Sequence, residues 1–202
     1  MEFIEPLVRH FLGIFFLMIG LQFASRALGL YQRMRFSHIN YGERGSAPWW
    51  HRQIFNVFRA LILSVCVVRV FADIDGWLGV FGALYQWPVL LLGMLLLLVS
   101  FTSVNYLQAY MHEDWRSGID HREDHPKLLT SGPFARSRNP LFISVMTGQF
   151  GFFLALPSVF SLVCLIAGVL VITRQAREEE KALSSTYGAP YDEYRARVPR
   201  WF

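Results

Sequence analysis

The chain has 202 residues, of which 53% are apolar and only 17% charged, with a mean hydropathy of +0.33. Soluble domains carry about a quarter charged residues, so these values exclude an ordinary soluble globule and point to an all-α, polytopic membrane bundle. The net charge of +4 lies mostly between apolar runs, where bases set topology and meet anionic headgroups, and no basic stretch interleaved with aromatics suggests nucleic acid.

The first apolar run covers residues 7–30. About 20 residues cross a hydrocarbon core of about 30 Å, so this is one span. It is too long for the apolar part of a cleaved signal and reads as a retained helix. Residues 31–52 follow with Arg33, Arg35, Arg44 and Arg52 against one acid, Glu43. Trp49 and Trp50 suit a headgroup-level belt. A second span is expected over residues 54–72. Its Arg69 lies four residues before Asp73, a spacing that predicts pairing on one helix face. An arginine inside a span is costly and marks a functional candidate unless it is paired.

Residues 76–111 carry no charge at all. Pro88 is expected to kink this run or to separate a short leading helix from a main span over residues 89–107. The main polar loop, residues 110–139, precedes a second uncharged run, residues 140–173. As one helix that run would be about 50 Å long. Pro157 at its middle predicts a tight helical hairpin instead, with Gly148, Gly151 and Gly168 permitting close helix contact. A charged helix to about residue 186 follows. Gly188 and Pro190 break it before a last short segment. Cys66 and Cys164 both fall within apolar runs and read as buried structural residues.

The scheme is five spans, divided into an N-terminal membrane part, residues 1–109, and a C-terminal catalytic region, residues 110–202. The basic loops and the C-terminus would face the cytoplasm and the N-terminus the outside, by the positive-inside rule. With no evident targeting segment, a bacterial inner membrane is the expected location.

A hairpin brings its two ends together, so Arg138 and the Glu178–Glu179–Glu180 triplet should meet on one membrane face. Arg138 can grip a carboxylate with a bidentate fork. Asn139 before Pro140 suits a helix start. The turn at Thr130, Ser131, Gly132 and Pro133 can present backbone groups to a ligand. The acidic triplet can accept hydrogen bonds from hydroxyls or an ammonium, or simply begin a solvated helix. His112, Glu113, Asp114, His121, Asp124 and His125 lack a recognised metal-ligand spacing and read as a hydrated loop.

The stretch LLTSGPFARSRNPLF (128–142), then EEKAL (179–183) and YGAPYDEYRARVPR (187–200), resembles the isoprenylcysteine carboxyl methyltransferase and phospholipid methyltransferase family. WRSGID at 115–120 resembles that family's lead-in. The resemblance implies an integral membrane methyltransferase using S-adenosylmethionine on a lipophilic small molecule or lipid that enters from the bilayer. Carried over by motif, Leu129, Thr130, Gly132, Pro133, Arg138, Asn139, Glu179, Glu180, Tyr187 and Tyr191 would contact the cofactor. Tyr194 would help wall the pocket, and Arg197, Pro199 and Arg200 would close it. Arg138, Glu180 and Arg177 would serve the reaction, an arginine orienting a carboxylate acceptor or Glu180 taking a proton from an amine. No metal is required. Asn139 and Phe142 stand where the carboxyl methyltransferases have His and Tyr, which leaves a carboxylate, amine or thiol acceptor open. Two other classes remain: an NADPH-dependent reductase like the sterol reductases, and a non-enzymatic membrane scaffold.

Overall fold

The computed structural model describes residues 4–34, 45, 47–111 and 128–202. The WRSGID stretch, Lys127 and the histidine-rich loop lie outside the described residues, as does most of the basic connection after the first helix. Seven α-helices are described: α1 Ile4–Met34, α2 Ala47–Phe71, α3 Asp75–Leu78, α4 Trp87–Met111, α5 Pro140–Ala155, α6 Val159–Tyr187 and α7 Ala189–Arg197. No strand occurs among the described residues.

Four helices, α1, α2, α4 and α6, are long and apolar enough to cross a membrane. At 16 residues, α5 is about 24 Å long, short of a full hydrocarbon core. Its short length is accommodated by the turn that follows. Leu156, Pro157 and Ser158 are buried beneath the segment before α4. The Phe81 amide donates to the Pro157 carbonyl at 2.8 Å, and the Val159 amide to the Gly79 carbonyl at 3.0 Å. Backbone polar groups at this depth are therefore paired inside the protein, as a membrane end requires. Ser158 then caps α6 reciprocally with Ser161. The hairpin expected at Pro157 is what the chain forms.

Among the described elements, α4 and α5 make the most extensive helix contact. A Cβ at Gly151 would lie 2.9 Å from the Gly93 carbonyl oxygen, and one at Gly93 would lie 2.7 Å from the Gly151 oxygen. Only glycine permits that approach. Beside it the Ser100 hydroxyl donates to the Ser144 carbonyl at 2.7 Å. Around this contact Leu12, Phe15, Cys66, Leu90, Leu97, Phe152 and Leu156 form one apolar core. Cys164 is also buried, and both cysteines are free.

One local expectation is corrected. Arg69 does not pair with Asp73. Its guanidinium turns to Asp75 at 2.6 and 2.9 Å, while Asp73 meets Arg9 of α1 at 3.1 Å. The helix ends at Phe71, so the four-residue spacing no longer describes one helical face. At Pro88 the second of the two expected outcomes is what forms: the short α3 precedes it, α4 begins at Trp87, and Pro88 occupies the first turn of α4, where no amide is needed.

The chain path puts the end of α1, the start of α2, the end of α4, the start of α5 and the C-terminal segment at one end of the bundle. The Pro157 turn and Asp73 to Asp75 lie at the other.

Candidate functional site

The site grows from the two ends of the α5–α6 hairpin. Residues 128–131 lead into a short 3₁₀ turn, Gly132–Ala135. Gly132 has φ +59° there, a conformation that side chains disfavour. A Cβ at that position would also meet the Tyr110 hydroxyl at 2.6 Å. Tyr110, near the end of α4, stacks on Phe134 and shares a 3.0 Å hydrogen bond with Ser131. The turn is thus fixed to the membrane helix beneath it.

Ser137, Arg138 and Asn139 follow immediately before Pro140. Asn139 holds the N-cap position of α5 but makes no capping bond. Its amide nitrogen instead donates to Glu180 at 3.2 Å and to the Arg200 carbonyl at 3.3 Å. An asparagine at a helix start ordinarily satisfies a free backbone amide; here the side chain ties three segments together.

Glu180 is the centre. Its carboxylate receives Arg138 Nη2 at 3.2 Å on both oxygens. It also receives Arg200 Nε and Nη2, both at 2.9 Å. Four nitrogen atoms therefore converge on one carboxylate whose side chain is 7% exposed. A buried charge is tolerated when it is paired and hydrogen-bonded this fully. The same contact raises the Arg200 guanidinium above its ordinary pKa, the hydrogen bond to Glu180 being the main cause. Such saturation is at odds with the expectation that Glu180 takes a proton from an amine, because its lone pairs are already engaged.

Arg138 makes further bonds. Its Nη1 donates to the Arg195 carbonyl at 3.0 Å, and its backbone amide to the Pro199 carbonyl at 3.0 Å. The Ser137 hydroxyl donates to the Arg200 carbonyl at 3.1 Å. The C-terminal segment is thereby strapped across the start of α5. Beneath the strap, Tyr191, Tyr194 and Val198 form a second small core with Leu128, Leu183 and Tyr187. The Tyr194 hydroxyl donates to the Phe134 carbonyl at 2.7 Å. Burial pushes its phenol up to about 12, so it stays a neutral donor.

The structure thus brings Arg138, Asn139, Glu180, Tyr187 and Tyr191 together, with Gly132 and Pro133 on the adjoining turn. Leu129 is half-buried and Thr130 exposed at its edge. Glu179 accepts from Gln175 at 2.9 Å, one position round the helix from Glu180. Glu178 pairs with Lys181 at the exposed surface. Arg177 is exposed on α6 and is no part of the Glu180 cluster. Sequence reasoning left Arg200 at the pocket's edge, whereas it is the shortest partner of Glu180. It also missed Tyr110 and Ser137, for which no local pattern gives a signal.

Among the described residues, two buried polar atoms in this cluster have no hydrogen-bond partner: Arg138 Nε and the Tyr191 hydroxyl. Both are donors, both belong to side chains around Glu180, and an unpaired buried donor carries a cost of about 1–3 kcal/mol. Among the described residues no cluster of metal-ligating side chains occurs.

A family model for phospholipid methyltransferases covers residues 88–190, from the start of α4 into α7. No curated protein matches the chain, and no solved structure does. The matched region holds the close helix pair, the hairpin and the Arg138–Asn139–Glu180 cluster, and on this ground the chain belongs to the phospholipid methyltransferase family and is an integral membrane methyltransferase.

Proposed function

We propose that this protein transfers a methyl group from S-adenosylmethionine to a lipophilic acceptor that reaches the site from the bilayer. The observation that carries the reading is the pair of unpartnered buried donors, Arg138 Nε and the Tyr191 hydroxyl, beside a carboxylate cluster at the end of a membrane bundle. The residues fit the cofactor's charge pattern. S-adenosylmethionine bears a carboxylate, which suits two free donors on a guanidinium and a phenol. When bound, it supplies an electrophilic methyl group on a sulfonium sulfur.

The protein's share is positioning, which by itself lowers a transfer barrier substantially. Glu180 holds Arg138 and Arg200 in place, and through them the strap over α5. Tyr187, Tyr191 and Tyr194 wall the space against water, and Gly132 lets the 128–135 turn approach closely. Leu129, Thr130, Pro133 and Glu179 would complete the cofactor's surroundings. Glu180 acts in this scheme by holding; a proton released by an amine acceptor would pass to water at this exposed end. Arg177, exposed at the surface of α6, is available to an anionic acceptor group. The basic ends of α1 and α2 lie at the same end of the bundle, which supports a cytoplasmic cofactor side and an external N-terminus.

The test is calorimetric titration of S-adenosylmethionine, and of its demethylated product, into detergent-purified protein, beside Arg138→Ala and Tyr191→Phe. Binding by the wild type that weakens in both variants is the expected result. Folded wild-type protein that binds neither compound, in detergent and in nanodiscs, would refute it.

A further inference from the structure

At the bundle end away from Glu180 a second charged group has no part in the scheme above. The start of α1 and the end of α2 border an open cleft of about 410 Å³ lined by Glu5, Arg9, His10, Arg69, Phe71 and Asp73 among others. That volume is in the range of small-ligand sites, roughly 300–1,000 Å³.

The charges here are mixed and incompletely matched. Arg9 donates to Glu5 at 2.8 Å, Asp73 at 3.1 Å and Asp75 at 2.9 Å. Arg69, its side chain only 1% exposed, is held by Asp75 and by the Tyr85 hydroxyl at 3.4 Å. Both guanidiniums nonetheless keep a buried nitrogen without a partner among the described residues, Arg9 Nε and Arg69 Nη1. Two orphan N–H donors on adjacent cations suit a phosphate. Yet three carboxylates outnumber the two guanidiniums, so a purely anionic ligand is disfavoured. Asp73 is 76% exposed and Glu5 is partly exposed, at the rim where a cation could reach them. Exposed Phe71 lines the cleft, and exposed Trp77 follows two residues after Asp75, as aromatics are found at the headgroup level of a membrane.

We propose that this cleft binds the headgroup of a zwitterionic phospholipid from the leaflet opposite the Glu180 site. The phosphate meets Arg9 and Arg69, and the ammonium meets Asp73 and Glu5. The lipid caps the α1–α2 end and pairs the two donors that the protein leaves open. A phosphate alone lacks the ammonium, and an anionic lipid places a second negative or neutral group against the carboxylates.

Native mass spectrometry of the full chain released from nanodiscs tests this. Discs of phosphatidylethanolamine and of phosphatidylglycerol are compared, and inorganic phosphate is added to delipidated protein as a separate arm. The double variant Glu5→Gln/Asp73→Asn keeps both arginines and neutralises the two rim carboxylates, whose amide oxygens can still accept from Arg9 while Asp75 keeps its ion pair with it. The wild type should retain one more phosphatidylethanolamine per chain than the double variant, with apparent affinity lower in the variant by roughly tenfold. Lipids held elsewhere, including at the methyl-transfer site, should stay in both. Circular dichroism establishes that the variant is folded. Equal retention by wild type and folded variant, equal retention of the two lipids at this site, or binding of inorganic phosphate as tight as that of the lipid would each overturn the proposal. If the double variant does not fold, Asp73→Asn alone carries the test with the same reading.

Discussion

Removing the Glu180 carboxylate should cost more than removing either arginine it holds. Glu180→Ala leaves Arg138, whose side chain is 9% exposed, as a buried cation without its counter-charge. Breaking such a pair from one side costs about 3–5 kcal/mol. Arg200 is 32% exposed and regains water, which places the total near the lower end, about 3 kcal/mol. Arg200→Ala should cost only about 1–2 kcal/mol, because Arg138 and Asn139 still satisfy the carboxylate. Arg138→Ala falls between, since it also gives up the Arg195 carbonyl. For a chain of this size 1 kcal/mol moves a melting midpoint by about 2–4 °C, so Glu180→Ala should melt roughly 6–12 °C early. Intrinsic-fluorescence melts of detergent-purified variants measure this. The double variant Glu180→Ala/Arg138→Ala should melt no lower than Glu180→Ala alone, because the orphaned cation is gone. Strict additivity of the two single changes, or Arg200→Ala as the worst of the three, would refute a buried network centred on Glu180.

Other consequences can be checked with the same material. Tyr191→Phe removes a buried hydroxyl that has no partner, so its melting point should equal or exceed the wild type's, while S-adenosylmethionine binds several-fold more weakly in calorimetry. Gly151→Val would drive a side chain into the α4 backbone; loss of the folded, monodisperse species in size exclusion is expected, and normal yield would contradict the contact. Gly132→Ala should weaken cofactor binding, since the added methyl meets Tyr110 in a backbone conformation that alanine disfavours.

Much of this architecture is legible in the residues because a bilayer allows few solutions. The two uncharged runs, the proline at 157 and the charges gathered at their ends are sufficient to place the hairpin and to predict that Arg138 meets Glu180. The failures are local. Arg69 found Asp75 rather than Asp73 because the helix stopped two residues before the expected partner, and helix ends are where periodic patterns lose force. Glu180 looked like a ligand-facing acid because the sequence does not show that Arg200, 20 positions later, folds back onto it. Asn139 reads as a cap from its place before Pro140, and its diversion to Glu180 depends on that same return. The fold-back of the last segment is a tertiary event, with no spacing signature to announce it.

Lysine substitutions separate charge from geometry within the cluster. One Arg138 side chain reaches two places at once: Nη2 to the Glu180 carboxylate and Nη1 to the Arg195 carbonyl, with Nε left over for a ligand. A lysine supplies the same charge from a single atom and cannot span those positions. Arg200 is used differently, as a two-pronged contact to one carboxylate. A lysine there can keep one prong. Arg138→Lys should therefore lose S-adenosylmethionine binding nearly as completely as Arg138→Ala, while Arg200→Lys keeps most of it and melts within a few degrees of the wild type. If Arg138→Lys binds the cofactor normally, only positive charge is needed at that position, and the assignment of Arg138 Nε to the ligand fails. If Arg200→Lys is instead the variant that loses binding, the strap itself contacts the cofactor, and the division of labour between the two arginines must be reversed.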